Sequence, residues 1–294
     1  LLGRHDDVYA FPGECAFFER YPSLRTMDDA LPYIVRSAKG GAASVLEACR
    51  EELVETLRRR HENGASISAL YAEGKNIIAA SDGARRWAQK ATSYIYYVDD
   101  ILEAFPSARL VFLLRNPVDI AASLKRRGGW NRVLRMIWGW NVGIRIAQRW
   151  SNDEHVRLVR YEDLVRTPEP ELRAVCTFAG LTFDDAMLDV PHVNRSETPF
   201  NTDSDTKGIN DSRVHYYQDV LSPEEEAVVR RWVDSENFRA AYPDFPVPRS
   251  HSTAGKIKHT SLAIGGLVQT LASDHGGKLF RDPRHVLDRI RRRL

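Results

Sequence analysis

The chain has 294 residues, 43% of them hydrophobic and 10% aromatic, enough for one large domain or one domain with an extension. That composition suits a globular protein with a substantial core rather than a disordered chain. A net charge of +2 gives the whole chain no electrostatic preference for a partner, and no nucleic-acid partner is expected.

The charge is uneven. From Pro246 to Leu294 ten Lys and Arg face three Asp, a balance of +7, which leaves −5 for the body before it. The three cysteines, Cys15, Cys49 and Cys176, have neither disulfide-framework nor metal-site spacing. They point to a reducing compartment, and a cytoplasmic location is expected. The nine histidines show no ligand spacing, so no metal site is expected. The longest apolar candidate for a membrane span, Ser261 to Leu271, is far too short.

Leu46, Cys49, Leu53 and Leu57 recur at helical spacing and predict a helix from Ala42 to Arg60, stopped by Asn63-Gly64. Asn76 to Ala80 is a short apolar run that reads as a strand. Tyr94 to Phe105 reads as helical, up to Pro106. Arg109 to Leu114 is apolar without alternation, the pattern of a parallel strand buried on both faces. Asn116 then suits a helix N-cap and Pro117 its first position.

A long helix is predicted from Val133 to Trp150, and a strand from His155 to Arg160. Thr167-Pro168 opens a further helix, with Leu172, Val175, Cys176 and Ala179 on its apolar stripe and Gly180 at its end. Strands alternating with helices predict an α/β, three-layer fold whose mainly parallel sheet is flanked by helices. Asp189 to Leu221 reads as a long functional loop. Ser222-Pro-Glu-Glu225 is a capping box that opens a helix through Trp232. Pro243, Pro246 and Pro248 mark a boundary, dividing a domain at 1–245 from a basic, partly helical extension at 246–294.

Phe105-Pro-Ser-Ala-Arg-Leu-Val-Phe-Leu-Leu-Arg-Asn-Pro-Val-Asp-Ile-Ala-Ala-Ser123 resembles the 3′-phosphate-binding segment of sulfotransferases that use 3′-phosphoadenosine 5′-phosphosulfate (PAPS). The resemblance implies that Arg115 and Ser123 hold that phosphate. The chemistry fits, because Arg offers a planar fork of donors and Ser adds a hydroxyl. Val159-Arg-Tyr-Glu-Asp-Leu164 is similar to the family's Tyr-Glu-Asp-Leu segment, which implies Tyr161 beside the adenine. Lys207-Gly208 and Asn210-Asp-Ser-Arg213 resemble the late loop that closes over the nucleotide, with Lys207, Gly208 and Arg213 as its contacts.

His5-Asp-Asp-Val-Tyr-Ala-Phe-Pro-Gly-Glu-Cys-Ala-Phe-Phe18 resembles the stretch after the phosphate loop in carbohydrate sulfotransferases, which implies Glu14 as general base. Trp87-Ala-Gln-Lys-Ala-Thr92 resembles their Glu-Lys-Thr-Pro segment and implies Lys90 as a catalytic cation, with Gln89 in place of Glu and Ala91 in place of Thr.

The family's fold is P-loop NTPase-like, with a first strand and a loop that cradles the 5′-phosphosulfate. This sequence opens on Leu1-Leu-Gly-Arg-His5, which resembles the helix after that loop. The expectation is therefore a sulfotransferase domain truncated at its N-terminus, with weak or absent catalysis as written. Sulfuryl transfer from PAPS to a sugar or small-metabolite hydroxyl is the expected activity. A nucleotide-binding protein without catalysis stays open, as does a P-loop kinase, although no Lys-bearing phosphate loop is found. The basic tail reads either as a solvated or docked helix or as a contact for an anionic surface.

Overall fold

The computed structural model describes residues 1–35, 43–190, 209–246, 257–266 and 291–292. Their contacts fall into two compact units, one of Leu1–Arg109 with Leu172–Ile209, the other of Leu110–Glu171 with Asn210–Leu294. Each unit is built on two parallel strands with helices packed against them, so the α/β reading of the sequence holds.

In the first unit, β1 (Val8–Glu14) pairs in parallel with β2 (Arg86–Lys90). A parallel pair requires a long crossover, and here it consists of helices, chiefly Met27–Val35, Arg50–Glu62 and Ile67–Ser81. Only the first part of β1, Val8-Tyr-Ala-Phe11, is an apolar run. β1 carries Pro12-Gly13, which reads as a turn, and β2 is Arg-Trp-Ala-Gln-Lys. The pairing accommodates Pro12 and Gly13 as a bulge, since Phe11 faces Gln89 and the next pair is Glu14 with Lys90. Gly13 sits there at φ 87°, a left-handed conformation open to glycine at little cost.

The helix Ile67–Ser81 is the spine of this unit. Ser66 caps it by accepting the N–H of Ala69. Leu70, Tyr71, Lys75 and Ile78 are buried along its length. The strand expected at Asn76 to Ala80 is thus the last part of a helix. A run of four apolar residues, Ile77 to Ala80, has no period of its own, and the capped start at Ser66 decides the matter. Gly74 allows a close crossing by the helix Met27–Val35, since a Cβ there would lie 2.5 Å from Ile34 Cγ2. Phe17 stacks on Tyr71 at 3.9 Å between centroids, and Phe18 meets Tyr94 and Phe105 edge-on. The helix expected from Ala42 to Arg60 is divided at Cys49 into Ala43–Ala48 and Arg50–Glu62.

In the second unit, β3 (Leu110–Leu114) pairs in parallel with β4 (Val156–Arg160), Leu110 opposite Val156 and Leu114 opposite Arg160. The crossover runs through the helices Pro117–Arg126 and Val133–Arg149. Their apolar faces, with those of Pro223–Trp232 and Ser235–Ala241, enclose Leu114, Val118, Ile137, Trp140, Val228 and Phe238. β3 is not buried on both faces as its composition predicts. Leu114 is buried, whereas Val111 and Leu113 on the opposite face are 37% and 58% exposed.

The predicted capping box at Ser222 and Glu225 is formed in both directions. Residues 257–266 of the basic tail are helical, and Ala263 is buried in the core of this unit. Most of the tail's basic residues lie outside the described residues. Among those described, no helix is long and apolar enough to cross a membrane.

Candidate active-site clusters

The first cluster lies at the C-terminal ends of β1 and β2. Parallel pairing past the bulge sets Glu14 opposite Lys90. The Lys90 ammonium donates to Glu14 Oε1, and the Thr92 hydroxyl donates to Oε2 at 3.0 Å. The side chains are 48% and 68% exposed, so the ion pair itself adds little stability. Its significance is chemical. Burial raises the Glu14 carboxyl, but the donors Lys90 and Thr92 outweigh it and hold the group below the usual range. Glu14 is therefore ionised at neutral pH and can accept a proton once Lys90 turns to another anion.

The second cluster lies at the C-terminal ends of β3 and β4. Because Leu114 pairs with Arg160, the next residues, Arg115 and Tyr161, emerge side by side. The Arg115 guanidinium lies over the Tyr161 ring, 4.5 Å from its centroid. Its Nη2 donates to Arg213 O at 3.1 Å, and its backbone carbonyl accepts from Trp140 Nε1 at 3.0 Å. The Arg115 Nε is buried without a hydrogen-bond partner among the described residues. A buried guanidinium donor is costly to leave unpaired, and an anion beside it would satisfy it. Burial raises the Tyr161 hydroxyl, with Arg115 opposing, so the phenol is neutral at pH 7.

Two carboxylates not marked by the sequence reading hold this cluster together. Glu162 is 4% exposed; its Oε1 accepts the N–H of Asn116 at 2.9 Å and its Oε2 the hydroxyl of Tyr242 at 3.1 Å. It thereby joins the turn after β3 to the helix Tyr161–Arg166, which follows β4 directly. Asp119 is fully buried and accepts the N–H groups of His215 and Tyr217. It fixes the segment that carries Arg213. Both were available as signals, since each is an acid one to four residues from a proposed ligand in a strand–turn–helix context.

Ser123 follows Asp119 by four residues and so shares its face of the helix Pro117–Arg126. The Arg213 guanidinium lies 4.6 Å from the centroid of Tyr216, whose hydroxyl accepts from Arg126. The structure thus brings Glu14 to Lys90, and Arg115 to Tyr161 and Arg213. Lys207 and Gly208 lie outside the described residues. Among the described residues no group of His, Cys, Asp and Glu is arranged to hold a metal ion.

The sequence matches the sulfotransferase family over residues 1–185. The match covers more than half of the chain, and the chain belongs to that family of transferases. It is 27% identical over 222 residues to Nodulation protein NoeE of Sinorhizobium fredii, covering 67% of this chain and 49% of that one. An uncharacterized protein of Aquifex aeolicus is 24% identical over 240 residues, covering 76% of this chain and 29% of the relative. The chain thus spans about half the length of one curated relative and less than a third of the other. Its fold is that of the Sulfotransferase Domain from the Synechococcus PCC 7002 Olefin Synthase, with a TM-score of 0.55 at 20% identity, covering 83% of this chain and 89% of that domain.

Proposed function

We propose that this chain carries the machinery for sulfuryl transfer from PAPS to an acceptor hydroxyl on a sugar or small metabolite. The observation that carries the reading is Arg115, whose guanidinium lies over the Tyr161 ring and whose buried Nε has no hydrogen-bond partner among the described residues. A 3′-phosphonucleotide brings the two matching features, a dianion and a flat ring. Arg115, Ser123 and Arg213 supply donors and charge for the phosphate, and Tyr161 offers the adenine a packing face and a hydroxyl. Lys207 and Gly208 complete the set as contacts of the late loop.

The chemical step needs two further groups. The acceptor oxygen forms a bond to sulfur while the bond from sulfur to the phosphate oxygen breaks. The acceptor proton passes to Glu14, and the electron pair of the broken bond stays on the departing oxygen. Lys90 neutralises the charge that builds there. Moving the ammonium from Glu14 to that oxygen removes the donor that keeps Glu14 weakly basic. The base is then strengthened when the proton must leave. No step requires a metal. All three cysteines are free and buried, which fits the reducing cytoplasm as the place of action.

Transfer of sulfur-35 from labelled PAPS to a panel of sugar and small-molecule alcohols tests the proposal. Labelled product that Glu14→Gln lowers by about 10²-fold or more supports it. Binding of the nucleotide with no transfer to any alcohol would reduce the chain to a nucleotide-binding protein.

A further inference from the structure

The bulge that sets Glu14 opposite Lys90 leaves a carbonyl without its ladder partner. Two residues of β1, Pro12 and Gly13, have no partners on β2, and such interruptions must be satisfied from elsewhere. Gln89 does this with its side chain. Its Nε2 donates to Gly13 O at 3.0 Å and to Lys90 O at 3.1 Å. One amide thus joins the residue before Glu14 to the backbone of Lys90 itself.

The other end of that amide is also held. Lys75 Nζ lies 3.4 Å from Gln89 Oε1 and can donate to it. Lys75 is fully buried, 3.7 Å from the centroid of Phe11 and 5.2 Å from that of Tyr71. Both rings stabilise a cation, and neither offers it a countercharge. Burial lowers the ammonium to about 7, opposed by the nearby thiol of Cys15. Charged or neutral, the amine keeps N–H groups to donate to the Gln89 carbonyl.

We propose that Gln89, anchored by Lys75, is a positioning residue that fixes the Glu14–Lys90 pair through the bulge of β1. This rests on the reading of Glu14 and Lys90 as the reacting pair, and it explains the departure at position 89 from the Glu-Lys-Thr-Pro pattern. A carboxylate there would accept from Lys75 but has no N–H for Gly13 O or Lys90 O. The amide serves both sides.

The test is a carbon-13 NMR pH titration of Glu14 in the whole chain, wild type against Gln89→Met, without substrate. Its outcome is therefore independent of whether the chain transfers sulfuryl groups. Asp7 is the internal reference, since its carboxyl is held low by the hydrogen bond from Arg85 at the opposite end of the same strand pair. The expected result is a rise of the Glu14 pKa by about half a unit or more toward an ordinary glutamate, with Asp7 unmoved. An unmoved Glu14 overturns the proposal, and so does an equal rise at Asp7, which would mean a generally loosened sheet. Should Gln89→Met not fold, Gln89→Leu, which is also uncharged and also lacks the amide donors, is read in the same way. Lys75→Met, measured in both backgrounds, tests the anchor. It should raise Glu14 in the wild type and add nothing in Gln89→Met. An equal increment in both means that Lys75 acts through charge alone and overturns its part.

Discussion

Asp119 accepts the backbone N–H of His215 at 3.0 Å, and His215 is the one non-glycine residue with a positive φ, 58°, among those described. A left-handed histidine costs about 1 kcal/mol or more, so its neighbours must hold it. The second oxygen of Asp119 accepts Tyr217 N–H at 2.9 Å. A carboxylate on the helix after β3 thereby sets the backbone that places Arg213 at Arg115.

Asp119→Ala is expected to destabilise the chain by about 2–3 kcal/mol, because two buried N–H groups lose a charged acceptor. Denaturant unfolding should show a lower midpoint with an unchanged slope. The same variant should weaken nucleotide binding, since Arg213 is no longer fixed.

The pH dependence of Asp119 has a definite sign. Burial raises its carboxyl above 3.8, although the N–H groups of Tyr217 and His215 oppose this. The folded chain then holds this proton more tightly than the unfolded one. The stability it contributes is complete below pH 3.8 and is lost as pH rises through the raised folded value. Asp119→Asn should flatten that limb of the stability curve, as followed by unfolding at a series of acidic pH values.

Glu162 and Tyr242 form the other buried tie. Tyr242→Phe removes one hydrogen bond and should cost about 1 kcal/mol, whereas Glu162→Ala also strands the N–H of Asn116 and should cost about 3 kcal/mol. The double variant should cost less than the sum, because the two share a bond. Strict additivity in denaturant melts would contradict the tie.

Much of the second cluster was legible in the sequence. The apolar run Leu110–Leu114, the Asn116 cap with Pro117 behind it, and the run into Tyr161 each carry a local signal, and parallel pairing turns the two strand ends into neighbours. The first unit was harder to read. β1 has only the short apolar run Val8–Phe11 before Pro12-Gly13, which looks like a turn, and β2 is mostly polar. The run at Asn76 to Ala80 took the place of the strand because its four apolar residues fit either period. Glu162, Asp119 and Gln89 act on backbone groups, and Lys75 on the Gln89 side chain; an acid beside a proposed ligand marks Glu162 and Asp119 locally, but not the partners up to about a hundred residues away that such groups bind.

Lys90→Ala should raise the Glu14 pKa, since it removes the strongest of the groups that lower it. In a transfer assay the same change should cost about 10²–10³ in kcat, as expected for the loss of a charge-stabilising donor. A kcat unchanged in Lys90→Ala would remove this residue from the chemistry.

The most direct measurement is calorimetric titration of adenosine 3′,5′-bisphosphate into the folded chain and into Arg115→Ala. The account predicts binding by the wild type, weakened by about a hundredfold in Arg115→Ala, the cost of removing one partner of a buried charge-assisted contact. Equal affinity in the two proteins would contradict it and place the 3′-phosphate elsewhere.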